Sequence, residues 1–261
     1  MAVLKNVKRI VVKVGTSTLT YSTGKTNIRR MHKLVSVLSD IVNSGIEVAL
    51  VTSGAIGVGV GKLGLKENPA DTAGKQAAAT IGQCELMFMY DKLFGEYGHT
   101  VGQLLITKSD VENDERRQNL VNTFNKLFDF GAIPVINEND SVAVEEIVYG
   151  DNDSLSAIVA KLINADALII LTDIDGLYDA NPTENEDAKL IPVVTVIDED
   201  LYAIAGGRGS TLGTGGMVTK LHAAEIAMGA GINTIVMNGE NPTEIYKALD
   251  GKQVGTFFKG K

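Results

Sequence analysis

Six short apolar runs alternating with amphipathic stretches predict an α/β chain with a doubly wound, mostly parallel sheet. The runs, residues 9–14, 46–52, 100–106, 132–136, 167–172 and 232–237, are nearly continuous in Val, Ile and Leu. Continuous rather than alternating patterning marks strands covered on both faces. Helical candidates lie between them at 27–43, 74–94, 112–130, 153–164 and 216–228. Strand and helix in alternation imply parallel pairing through right-handed crossovers. Ligands bind such sheets beyond the carboxyl ends of the strands, so the residues that follow each run are the ones to inspect for chemistry.

The 261 residues suffice for one large domain or two small ones. With no linker, repeat or low-complexity segment, a single domain over residues 1–261 is expected. Residues 173–205 break the alternation with Asn181-Pro182, an acidic run (Glu184, Glu186, Asp187) and a short apolar strand at 191–196, and read as a surface excursion, a hairpin or otherwise, that either touches the nucleotide or stays clear of it. The formal net charge of −8 argues against a nucleic-acid groove, which needs a basic stripe. One cysteine, Cys84, excludes an internal disulfide or a cysteine-based zinc cluster, and His32, His99 and His222 lack metal-ligand spacing. The N-terminal apolar run Ile10-Val11-Val12 is too short for a signal peptide or membrane span, so a cytoplasmic protein is expected, with no membrane partner. Twenty-eight glycines exceed what a packed core needs and point to loops that turn sharply or approach a ligand.

Two glycine patterns are decoys. Gly24-Lys25-Thr26 resembles the end of a P-loop, but Leu19 stands where the motif needs its first glycine. Gly59, Gly61 and Gly64 match G-x-G-x-x-G, yet Ser53-Gly54 already occupies the strand-to-helix turn, so close helix packing is the expected role.

Six other segments follow predicted strands or open predicted helices. In Lys13-Val14-Gly15-Thr16-Ser17 a lysine in an apolar strand either snorkels to the sheet edge or meets an anion or carboxylate, and the next backbone N–H groups can face phosphate. Ser53 in Thr52-Ser53-Gly54-Ala55-Ile56-Gly57 is placed either as a plain N-cap or beside an anion site at the helix start. Asn137-Glu138-Asn139-Asp140 offers carboxylates and amides to an amino group, or forms a solvated turn. Gly150-Asp151-Asn152-Asp153-Ser154 opens a helix, and capping accounts for one of its acidic residues more easily than for all. Thr172-Asp173 with Gly176-Leu177-Tyr178 follows another strand. Gly213-Thr214-Gly215-Gly216-Met217-Val218-Thr219-Lys220 is a glycine-rich turn presenting a lysine one helical turn in, either a phosphate clamp or a surface loop. Two lysines, several carboxylates and two glycine-rich turns without a Walker motif suggest phosphoryl transfer of another kind.

These six segments, together with residues 75–83 (Lys-Gln-Ala-Ala-Ala-Thr-Ile-Gly-Gln), resemble the amino acid kinase family over residues 8–239. The resemblance implies a three-layer α-β-α sandwich with a mostly parallel central sheet. It also implies ATP-dependent phosphorylation of the L-glutamate side-chain carboxylate to L-glutamyl 5-phosphate and ADP, the first step of proline biosynthesis. By the same resemblance Lys13 and Lys220 contact the transferring phosphoryl group and Asp153 orients them. Ser53, Asp140 and Asn152 bind glutamate, with Asn137 in support. Lys13, Gly15, Thr172, Asp173 and the run Thr214, Gly215, Gly216, Met217, Val218, Thr219, Lys220 line the nucleotide. Mg²⁺ enters on the ATP phosphates, with no protein ligand assigned. Proline as feedback inhibitor, a glutamyl phosphate reductase as partner and a homo-oligomer are also implied. Many members carry a C-terminal PUA module; the residues after Gly239 allow only a short helix and strand, so functions of that module are expected to be absent.

A glutamate carboxylate is already ionised at neutral pH, so no general base is needed. Catalysis then rests on in-line positioning and charge neutralisation, in keeping with the absence of histidine from the six segments. Two rivals stand beside this reading: another acceptor (acetylglutamate, aspartate, carbamate or a nucleoside monophosphate) on the same fold, and an inactive amino-acid or nucleotide sensor.

Overall fold

The computed structural model describes residue 4 and residues 6–21, 25–142, 152–182, 184–206 and 216–261. The chain divides into two compact units, one formed by residues 14–148 and the other by 1–13 with 149–261.

In the unit of residues 14–148, three strands run in the order β3-β4-β2: β2 (Glu47–Val51), β3 (Val101–Ile106) and β4 (Ile133–Glu138). β4 is parallel to both neighbours, with Val51 beside Ile136 and Ile106 beside Glu138. Helices intervene: α1 (Thr16–Leu19), α2 (Ile28–Asn43), α3 (Ala55–Leu63), α4 (Thr72–Gly95), α5 (Lys108–Glu112) and α6 (Asp114–Asp129). The expected helix at 112–130 is α6, and the short α5 before it was not among the helices expected from the sequence. Asn113, in extended conformation, ends α5 and caps α6 by accepting from Arg116 N–H, a double role that apolar periodicity does not report.

The other unit orders its strands β1-β5-β7-β8-β6: β1 (Arg9–Val14), β5 (Ala167–Thr172), β6 (Val193–Val194), β7 (Asn233–Asn238) and β8 (Thr256–Phe258). β5 and β7 are parallel, and their last residues, Thr172 and Asn238, lie side by side. β8 is antiparallel to β7 and parallel to β6. Its helices are α7 (Asn152–Leu162), α8 (Glu199–Ile204), α9 (Met217–Gly229) and α10 (Glu244–Leu249). β5 is buried on all sides, as its apolar sequence requires, and the body of α7 is buried too, its Asp153, Ser154 and Ser156 included. The excursion at 173–205 does fold back as a hairpin through an antiparallel bridge between Tyr178 and Leu190, then adds β6 and α8. The α/β class, mostly parallel and three-layered, is the one expected.

Gly59 proves to be a packing glycine. A Cβ there would lie 1.9 Å from the Ala78 carbonyl oxygen, and one at Gly82 would lie 1.7 Å from that of Ala55. The backbones of α3 and α4 therefore touch, which only residues without a side chain permit. This closeness also explains why a glycine-rich stretch of poor helix propensity is a helix: contact with α4 overrides the propensity.

Gly82→Ala is expected to lower the free energy of unfolding by about 3 kcal/mol, because neither backbone can retreat without separating the helices. Gly95 ends the same helix with nothing within 4 Å of an added Cβ, so Gly95→Ala should show no comparable loss in a urea titration.

Candidate active site

The centre of the site is a carboxylate held between two lysines. Lys13 is the fifth residue of β1, Asp153 the second of α7 and Lys220 the fourth of α9. Lys13 Nζ lies 2.6 Å from Asp153 Oδ1, and Lys220 Nζ lies 3.2 Å from Oδ2. All three are buried, Asp153 completely. Thr219 Oγ1 sits 2.8 Å from Asp153 Oδ2 and 2.7 Å from the Gly216 carbonyl, sharing its one proton between two acceptors. Burial alone would push the Asp153 carboxyl up, but Lys13, Lys220 and the Thr219 hydroxyl together hold it below the usual carboxylate range. The trio carries two positive charges to one negative in a site closed to water, a setting in which charge on a ligand is felt strongly.

Lys13 therefore does not snorkel to the sheet edge; it meets a carboxylate. Asp153 exceeds a capping role, since its charge is spent on lysines from two other elements. The contribution of Thr219 as a brace for Asp153 escapes a reading of the glycine-rich turn, where it is one residue among many.

In the same unit, the ends of β5 and β7 are tied together. Gly239 N–H donates to the Thr172 carbonyl at 2.7 Å, and Thr172 Oγ1 donates to Asp173 Oδ1 at 3.1 Å. Asn238 Nδ2 donates to Asp175 Oδ1 at 2.9 Å while its Oδ1 accepts from Glu240 N–H. Thr172 is buried and Asp173 exposed. Asp175 and Asn238 lie outside the six segments, although Asn238 directly follows the apolar run of β7 and so obeys the strand-end rule. Gly176 has φ near 156°, and a Cβ there would sit 2.6 Å from Thr256 Oγ1, which accepts from Leu177 N–H. The glycine of the Gly-Leu-Tyr segment is thus required by packing against β8.

Gly15, Ser53, Asn137 and Asp140 belong to the unit of residues 14–148. Gly15 is the N-cap of α1 without a side-chain hydrogen bond. The cap of α3 is Gly54 at φ 94°, in the left-handed region, so Ser53 is not the N-cap and stands one residue earlier. The turn Ser53-Gly54 packs on Thr16, whose Cγ2 would be 3.3 Å from a Cβ at Gly54, so the first two segments are brought together. Thr52, just before them, shares a 2.9 Å hydrogen bond with the fully buried Tyr90 hydroxyl of α4.

Asn137 ends the buried part of β4. Its Oδ1 accepts from Glu138 N–H at 2.9 Å and its Nδ2 donates to Gln83 Oε1 of α4 at 2.8 Å. A pocket of about 350 Å³ opens beside this pair, lined among others by Gln83, Thr80, Gln103, Asn139 and Asp140. Burial pushes the Asp140 carboxyl up to about 6. Gln83 was part of the segment that carried the resemblance but had no assigned role.

Gly216, Met217, Val218 and Thr219 form the start of α9, and Asn152 starts α7. Thr214 and Gly215 lie outside the described residues, as do residues 143–151. Among the described residues no group of three or more His, Cys, Asp or Glu is arranged to hold a metal ion. No helix among them is long and apolar enough to cross a membrane.

A strand lysine, a helix-opening aspartate and a lysine in the first turn of a later helix, buried together in one unit of a mostly parallel α/β fold, define a class. The amino acid kinase family model matches residues 8–238, and the chain belongs to that family. Among its relatives, the glutamate 5-kinase of Clostridium perfringens is 54% identical, covering 99% of this chain and 97% of its own. That of Clostridium acetobutylicum is 53% identical over 98% of this chain and 96% of its own. That of Listeria monocytogenes serotype 4a is also 53% identical, over 99% and 95%. Among solved structures, the UMP kinase from Bacillus anthracis superposes with a TM-score of 0.67 at 19% identity, covering 98% of both chains. The isopentenyl phosphate kinase of T. acidophilum gives 0.67 at 18%, covering 97% of this chain and 100% of its own. At such identities the structural likeness speaks for the fold alone.

The trio makes an asymmetric prediction about stability. Lys13→Ala leaves Asp153 paired with Lys220 and should fold with a Tm close to that of the unmodified chain. Asp153→Ala strands two buried ammonium groups and should cost about 3–5 kcal/mol, measured by thermal or urea unfolding.

Proposed function

We propose that this chain phosphorylates the side-chain carboxylate of L-glutamate with ATP, giving L-glutamyl 5-phosphate and ADP as the first step of proline biosynthesis. The observation that carries the reading is the Lys13–Asp153–Lys220 trio, in a chain 54% identical to a glutamate 5-kinase along almost its full length. Both compact units serve this one activity, as a single kinase domain over residues 1–261; the family model running through both supports this.

The chemistry asks little of the protein beyond placement and charge. The acceptor carboxylate is ionised at neutral pH, so it attacks the γ-phosphorus without a base, and the obstacle is repulsion between two anions. Lys13 and Lys220 offset the charge that accumulates on the phosphoryl oxygens. Asp153 fixes their ammonium groups in advance, so that little reorganisation is needed as the bond to phosphorus forms. Gly15, Thr172, Asp173 and residues 214–220, with the N–H groups that open α9, take the nucleotide. Ser53, Asp140 and Asn152 bind the amino acid. Asn137 supports Asp140 through its bond to Glu138 N–H. Mg²⁺, carried on the ATP phosphates, supplies further charge neutralisation. The product is an acyl phosphate that hydrolyses readily, which favours a glutamyl phosphate reductase as the next enzyme. Proline inhibition, a homo-oligomeric state and a cytoplasmic location complete the reading.

The deciding assay follows ADP release with Mg-ATP against glutamate, N-acetylglutamate, aspartate, carbamate and UMP, with hydroxylamine to trap an acyl phosphate as its hydroxamate. ADP and hydroxamate with glutamate alone are expected; turnover only on another acceptor would overturn the substrate assignment. Lys13→Ala and Lys220→Ala should each lower kcat by roughly two to four orders of magnitude. Activity within threefold of the unmodified enzyme in either folded variant would remove the lysines from the mechanism.

Asp140 must be ionised to hold the substrate ammonium, and in the ligand-free protein its pKa is about 6. Glutamate favours the charged form, so its binding expels the proton at low pH. KM for glutamate should accordingly rise as pH falls below about 6 and level off above it. Asp140→Asn should raise KM and abolish that pH step; a step that persists would assign it to another group.

A further inference from the structure

The pocket beside Asp140 contains a donor with nothing to donate to among the described residues. Gln83 is 8% exposed, and its Nε2 is buried without a hydrogen-bond partner among them. The orientation of its amide is fixed by its neighbours. Asn137 Oδ1 accepts the Glu138 N–H, which leaves Asn137 Nδ2 to face Gln83. Gln83 must then present Oε1 to Asn137, so its NH₂ is directed elsewhere. Buried amide donors are almost always satisfied, and one left open beside a pocket calls for an acceptor brought by a ligand. Among the described residues that line the pocket there is no Lys or Arg, so a ligand carboxylate there has to be met by neutral donors.

We propose that Gln83 is a specificity-determining residue, its Nε2–H donating to the α-carboxylate of the bound amino acid while Asp140 takes the α-ammonium. This rests on the glutamate kinase reading and extends it to the part of the substrate that does not react. An amide donor and a carboxylate on one pocket wall match the two α-substituents of an amino acid: one a pure acceptor, the other a pure donor. A site built to satisfy both discriminates strongly against acids that lack either group, because the missing partner leaves a buried protein group unpaired.

The test uses two variants of the full chain. Gln83→Glu keeps the acceptor for Asn137 but replaces the donor by an anion; Gln83→Met keeps length without polarity and guards against misfolding of the first. In either variant that folds, KM for glutamate should rise about 10- to 100-fold, as loss of a hydrogen bond to a charged group does. KM for ATP should stay within twofold. 4-Aminobutyrate, which is glutamate without its α-carboxylate, should compete with glutamate for both variants and the unmodified enzyme with Ki values within about twofold of one another. An unchanged KM for glutamate in Gln83→Met, with the unmodified enzyme active on glutamate, would overturn the role of Gln83 and leave the kinase reading intact. An equal loss for glutamate and 4-aminobutyrate would also overturn it, reducing Gln83 to a structural residue. Failure of the unmodified enzyme to phosphorylate glutamate would bring down both.

Discussion

A buried carboxylate cannot stand alone, and neither can a buried ammonium; at the heart of this molecule each is the other's reason to be there. Asp153 at full burial would be protonated or expelled without Lys13 and Lys220. The same ion pairs fix where the first strand, the seventh helix and the ninth helix meet, because their charged atoms must converge within hydrogen-bond range. Thr219 completes the coordination from the residue next to Lys220, joining the start of α9 to the carboxylate by a second route. Structural and chemical demands thus coincide in three side chains. Such a cluster is costly relative to an apolar core of equal volume, and the cost is explained only by a function that uses the charge.

The two halves of the recognition problem are solved with different materials. On the proposed reading, phosphate charge is met by lysines and the open N–H groups of a helix start. On the same reading an amino acid is told from other acids in the pocket beside β4, which is lined by two carboxylates, Glu138 and Asp140, and a set of amides. The side-chain amides of Asn137 and Gln83 hold each other in place, and amides, unlike flexible ammonium groups, carry direction. Affinity for a charged fragment and selectivity for a shape are separated in sequence as well, with Lys13 and Lys220 far from Gln83 and Asp140 along the chain.

Much of this was legible in the sequence because parallel α/β architecture writes itself plainly. Continuous apolar runs announce strands buried on both faces, and three of them, β1, β3 and β5, end where the runs end. The strand ends were the places to inspect: Lys13 and Thr172 stand in the last two residues of their runs, and Asn137 directly follows the run of β4. Other parts were hidden for identifiable reasons. α3 was expected as a closely packed helix, but nothing in its glycine and β-branched residues names α4 as the partner whose contact overrides their poor propensity. Ser53 reads as a better cap than glycine, yet the turn needs positive φ, and Gly54 takes the place. Gln83 lies in the middle of a long helix, where a polar residue ordinarily faces solvent, and only its bond to Asn137 reveals that it faces inward. α5 is only five residues long and buries none of them, so no apolar spacing marks it ahead of Asn113.

Gly82 immediately precedes Gln83, and this adjacency has a mechanical meaning. Where two helices meet through side chains, either can roll a little as those side chains change rotamer. Where α3 and α4 meet backbone to backbone at Gly59 and Gly82, there is nothing soft between them. The contact acts as a keyway that sets the rotation of α4 about its own axis. The next residue along therefore points where the key dictates, and the aim of the Gln83 amide is machined into the main chain one position away.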